Sequence, residues 1–107
     1  MNTPTKTELQ TEREKLEETR CRLNDEWDSW CRLIELIPTR LLHMRMSAND
    51  LARHARQVAA RVADILDLDI DLDELIAYRC AAEMTERNLH GARLLMAAVI
   101  DDQRIRR

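Results

Sequence analysis

The sequence predicts an all-α fold, an elongated arrangement of three to four helices built on a long N-terminal helix, and three observations carry that prediction. First, 107 residues contain one Gly, two Pro and no Phe, so the turn chemistry that a β-sheet needs is nearly absent. Second, positions 9–37 run for 29 residues without Gly or Pro. Third, Leu9, Leu16, Leu23, Trp30 and Ile37 recur every seven residues along that run, the spacing of a helix with a narrow apolar seam. At about 1.5 Å per residue this helix extends roughly 44 Å, beyond the span of a compact domain of ~100 residues with a radius of gyration near 13 Å. Something must lie alongside it.

The chain reads as one domain of three parts: a frayed end over 1–6, an exposed helical arm over 7–22, and a packed helical body over 23–107. Thr3 before Pro4, or Thr7 with Gln10 three residues on, supplies the helix start. In the arm only Leu9, Leu16 and the edge residue Cys21 are apolar, fewer than the three in seven that a core-facing helix carries. Arg13 with Glu17 and Glu18 with Arg22 are spaced for intrahelical pairs, each contributing only about 0.3–0.5 kcal/mol. From Leu23 the pattern thickens with Trp27, Trp30, Leu33, Ile34 and Ile37. Pro38 then stops the helix, because its ring disfavours helical geometry at the preceding residue.

Positions 39–46 read as a short helix or turn packed by Leu41, Leu42 and Met44, and Ser47 with Asp50 resembles a capping box for the next helix, 48–67. That helix is amphipathic, with Leu51, Ala55, Val58, Val62 and Ile65 on one face and Arg53, Arg56 and Arg61 on the other. Its alanines permit close approach of a neighbouring helix. Over 67–73 the residues alternate, DLDIDLD, which predicts a connection with Leu68, Ile70 and Leu72 turned inward and Asp71 capping a last helix, 72–103. The inward face of that helix is expected to pass through Ile76, Cys80, Met84, Gly91, Leu95 and Val99. Gly91 marks a kink, a helix end or a close helix approach. Positions 94–100 are apolar on every side, which calls for cover on every side and predicts a homodimer.

Chemistry is harder to find than architecture. Charged residues make up 35% of the chain, yet the net charge is −3, so the total says little about a partner. The charges come in blocks: positions 38–61 hold five arginines against Asp50, and 62–75 hold six acids and no base. Asp67, Asp69 and Asp71 match the first positions of a calcium-binding loop, but Leu72 stands where Gly is required and Tyr78 where Glu is. Glu86 and His90 lie four apart without the second copy that a di-iron bundle needs. Ser29 and Ser47 have no base at a recognisable spacing. The expectation is therefore no enzyme, no metal and no cofactor. Three cysteines, with Cys21 and Cys31 about 15 Å apart along one helix, are expected as reduced thiols in the cytoplasm. The longest apolar run, 94–100, is far short of a membrane span.

What is left is recognition. Leu9, Leu16, Leu23, Trp27, Trp30, Leu94, Leu95 and Val99 are the candidate partner- or dimer-binding residues, with the tryptophans readable as core or as interface anchors. The alternative is a nucleic-acid face made by Arg40, Arg45, Arg53, Arg56 and Arg61, opposed by the neighbouring acidic block and by the lack of aromatic residues for stacking. In size, helicity and acidity the chain is similar to small bacterial and phage regulators that inhibit by contact, such as antiactivators of transcription factors and inhibitors of defence complexes. That resemblance implies a regulator that binds a larger protein. Contact would come either from the apolar seams or from the acidic residues of the arm and of 64–74 imitating nucleic-acid charge.

Overall fold

The computed structural model describes residues 6–105 and folds them into three helices: α1 Lys6–Leu36, α2 Leu42–Leu66 and α3 Leu72–Ile105. Among the described residues there is no strand. The frayed end expected over 1–6 lies, but for Lys6, outside the described residues. The helices run up, down and up in a rod of 65 × 20 × 16 Å. No described helix is long and apolar enough to cross a membrane.

The segment over 39–46 is not a separate element. A tight turn, with the Leu41 amide donating to the Pro38 carbonyl at 3.0 Å, leads directly into α2, which runs through Ser47 without a break. Residues 42–46 are mostly good helix formers with no Gly or Pro among them, so nothing obliges the helix to wait for the serine. At the other connection Asp71 does cap α3, its Oδ1 accepting from the Glu74 amide at 2.8 Å. Ile70 and Leu72 are half-buried there, whereas Leu68 is 52% exposed and does not turn inward as expected. Arg13 holds this corner by donating to the carbonyls of Leu66 and Leu68 at 2.7 and 2.8 Å, the first of them a group that the helix end leaves without a partner.

α1 is the middle of the molecule: it packs along both other helices, while α2 and α3 touch each other much less. Leu16, Thr19, Leu23, Glu26, Trp30, Leu33 and Ile37 are all buried, alternating three and four residues apart as in a coiled-coil seam. One core cluster joins Leu16 and Leu23 to Ala55, Ala59, Val62 and Ile65 of α2 and to Leu75, Ala82 and Leu89 of α3. A second gathers Trp30, Leu33 and Ile37 with Ala48, Ala52 and Ile100, the alanines leaving room for the indole.

The expected exposed arm over 7–22 is therefore corrected. Leu16 and Thr19 are 0% exposed, because the seam continues through polar residues that find partners across the bundle. α1 and α3 are parallel and in a register fixed by three rungs, set seven residues apart on α3. Glu12 pairs with Arg79, Arg22 donates to Glu86 at 2.6 Å and to Thr19 at 3.0 Å, and Glu26 takes two hydrogen bonds from Arg93 at 2.9 and 3.0 Å. The middle rung has its charges the other way round, acid on α3 and base on α1. Sliding α3 by one heptad would set Glu86 against Glu12 or Glu26, so the inversion selects the register. The intrahelical pairs expected for Arg13 and Arg22 give way to these longer-range contacts, and Glu17 pairs with Arg20 instead.

Candidate functional site

α3 is apolar on two nearly opposite sides. Its inner side buries Leu75, Ala82, Leu89 and Ile100 against α1 and α2. The face expected to point inward points out: Met84 is 64% exposed, Leu95 72% and Val99 41%, Cys80 and Gly91 are exposed, and Ile76 is half-buried. Periodicity alone cannot tell which of two stripes on one helix meets the core. Here the rungs decide it, because Arg79, Glu86 and Arg93 must face α1.

The outward stripe has its own three-and-four spacing. Ala81, Met84, Asn88, Gly91, Leu95 and Ala98 are all exposed and uncharged, and they follow one another for about 26 Å along the helix. Arg87 stands at the edge of the stripe and does not interrupt it. Gly91 lies in the middle of a continuous helix, where glycine costs about 1 kcal/mol relative to alanine. A Cβ added to it would meet nothing within 4 Å, so packing within the chain does not call for a glycine.

Beside the stripe, the thin contact between α2 and α3 leaves an apolar groove of about 330 Å³. Val58, Val62 and Ile65 form its α2 wall, Tyr78 and Ala82 its α3 wall, and Arg61 and Asp64 also line it. Ala81 belongs to both groove and stripe, so the two form one surface.

Of the residues selected from sequence for binding, Leu16, Leu23 and Trp30 are fully buried within the chain, and Leu9 and Trp27 are half-buried. Leu16, Leu23 and Trp30 are core, closed over by α2 and α3 and not available to a partner, while Leu9 and Trp27 pack against that core and keep part of their surface in water. Leu94, Leu95 and Val99 remain exposed. The arginines of 40–61 are not brought together. Arg40 donates to Gln103 at 3.1 Å and Arg45 to the Ile37 carbonyl at 3.3 Å. Arg56 stacks 4.7 Å from the Trp27 ring centre, Arg53 lies 3.6 Å from Asp50, and Arg61 borders the groove. At 100° per residue, Arg53, Arg56 and Arg61 fan over roughly 140° of the helix.

The sequence reading missed the cluster around Glu26. This carboxylate is nearly buried, bonded to Arg93, with His90 Nδ1 at 3.2 Å. Burial on its own would push its pKa up, but the Arg93 and His90 contacts outweigh that and hold it below the ordinary glutamate value. Glu86, considered with His90 as a ligand pair, is instead bonded to Arg22. Among the described residues no three His, Cys, Asp or Glu side chains are placed to hold a metal ion. Cys21 and Cys80 are exposed thiols and Cys31 is half-buried. No family model matches the chain, and no curated protein or solved structure matches it either.

Proposed function

We propose that this protein is a non-enzymatic helical protein-binding regulator that modulates or inhibits a larger partner by direct contact, and that the outward stripe of α3 makes the contact. The observation that carries this reading is the uncharged, exposed run from Ala81 to Ala98 on a chain that is otherwise 35% charged. Apolar side chains this exposed gain on being covered: full burial of a Met or Leu is worth about 1.5–3 kcal/mol. Met84 and Leu95 are the anchors, and the groove behind Ala81 extends the surface towards α2. Action in the cytoplasm, where the three cysteines remain thiols, and assembly as a homodimer belong to the same proposal.

The test is capture of partners from native lysate by the tagged wild-type chain, by L95E and by R53A/R56A/R61A, each with and without nuclease and read by mass spectrometry. The proposal expects a stoichiometric protein that the arginine variant retains, nuclease does not release and L95E loses. Capture indifferent to L95E, but lost with nuclease or with the arginines, would replace it with nucleic-acid binding. Capture lost in D67N/D69N/D73N and at raised salt would move the contact to the acidic corner.

A further inference from the structure

We infer that the α3 stripe is a self-association surface, on which α3 of a second copy lies antiparallel about a two-fold axis between Asn88 and Gly91. The inference rests on the protein-binding reading of this stripe and names its occupant in the free protein, a second copy that the larger partner displaces.

Three features select a second copy. The first is spacing. Intervals of three, four, three, four and three from Ala81 to Ala98 are those of a seam that another helix fills by knobs-into-holes packing. The second is self-complementarity. Laid antiparallel, Asn88 meets Gly91 of the second copy, Met84 meets its Leu95, and Ala81 meets its Ala98. Every layer thus finds its counterpart within the same stripe, as a two-fold interface requires. Two amide-on-glycine layers sit at the axis, two large apolar layers flank them, and alanine layers close the ends. Gly91, which has open space where a Cβ would be, acquires a reason: it admits the amide of Asn88 from the other chain.

The third feature is charge. In the antiparallel pair no like charges meet: Arg87 lies along Leu94 of the second copy, covering it with its aliphatic stem, and Asp101 lies by Cys80. The dipoles of the two helices also oppose each other favourably. Tyr78, at the groove, comes against Val99 of the second copy, where both side chains are part-exposed in the single chain. One helix face per copy makes a small contact, at the low end of interface sizes.

Analytical ultracentrifugation from about 1 to 200 µM tests this against the 12.6 kDa mass of the monomer, with far-ultraviolet circular dichroism as the check on folding. The wild type is expected to form a dimer. M84K and L95E each place a charge in an apolar layer and are expected to weaken it roughly tenfold or more, with helicity unchanged because both positions are exposed. The double variant M84K/L95E is expected to regain the dimer, since each new ammonium then meets a new carboxylate across the axis; parallel packing would set like against like and regain nothing. The reversed pair M84E and L95K repeats the pattern if one single variant folds poorly. A wild type monomeric throughout, a dimer indifferent to both single variants, or a double variant that stays apart overturns the inference. A monomeric wild type whose captured partner is still lost with L95E would sink self-association alone. Single variants that alter neither mass nor capture would sink the protein-binding reading as well.

Discussion

Replacing Leu16 by Ala separates a packed α1 from one whose first half stands free in solvent. Leu16 is 0% exposed and belongs to the cluster that includes Leu23, Val62, Ile65 and Leu75. A buried Leu→Ala change costs about 2–5 kcal/mol, depending on how far the site can collapse. Collapse is limited here, because Arg13 ties this end of α1 to the end of α2 and Glu12 ties it to Arg79 of α3. A loss of about 4 kcal/mol follows. At about 4–8 °C per kcal/mol for a domain of this size, the melting temperature falls by roughly 16–32 °C. On an exposed arm the same change stays within about 0.5 kcal/mol. Leu95→Ala is the control: at 72% exposure it leaves the fold of the single chain nearly untouched. Urea unfolding followed by circular dichroism at about 1 µM, where self-association contributes little, reads both variants. An L16A midpoint indistinguishable from wild type would refute the packing of 7–22, and a separate early transition would refute its cooperation with the rest of the bundle.

Two further outcomes follow from particular groups. The Glu26 carboxyl has a lowered pKa, so the stability it contributes is complete above its unfolded value of about 4.3 and is lost as pH falls through the folded one. The wild type should therefore lose melting temperature more steeply than E26Q as pH drops below about 5, while E26Q should be less stable at neutral pH by about 1–3 kcal/mol because Arg93 loses its carboxylate. Parallel melting curves from neutral to acid would contradict the rung. Gly91→Ala should raise the stability of the dilute single chain by about 1 kcal/mol, from helix propensity with no steric cost, and should weaken self-association in the same preparation. Sedimentation of G91A at wild-type affinity would remove the close approach of Asn88.

The helices themselves are legible in the sequence because local signals agree: the seven-residue spacing over 9–37, Pro38, and the Asp71 cap all act within a few residues. Ser47 misleads because a good cap matters only where a helix needs to start, and nothing between 42 and 46 prevents an earlier start. The packing of α1 before residue 22 was hidden for a different reason. Glu12, Thr19 and Glu26 occupy seam positions, and a count of apolar residues takes them for solvent-facing. The signal that exposes them is long-range: two glutamates fourteen apart on one helix and two arginines fourteen apart on another, with Arg22 and Glu86 inverted between them. That match has meaning only once α1 and α3 are known to be parallel neighbours. The arginines of 40–61 show the converse limit, since closeness in sequence on a helix does not make a common face.

The same register explains why the stripe on α3 was assigned to the wrong side, and why it has significance beyond the fold. α1 meets α2 and α3 along one mostly apolar seam flanked by ionic rungs, and needs nothing more from α3 than the face carrying Leu75, Arg79, Ala82, Glu86, Leu89, Arg93 and Ile100. The bundle is complete with the outer residues still in water. Lys or Glu at Met84, Leu95 or Val99 would cost the single chain little and would make it more soluble. Exposed apolar side chains set at regular helical intervals, centred on a glycine that the chain's own packing does not need, fit a helix that is covered from outside. On the proposed function α3 is a shared helix, with its ionic face holding the chain in register and its uncharged face offered to whatever the chain binds.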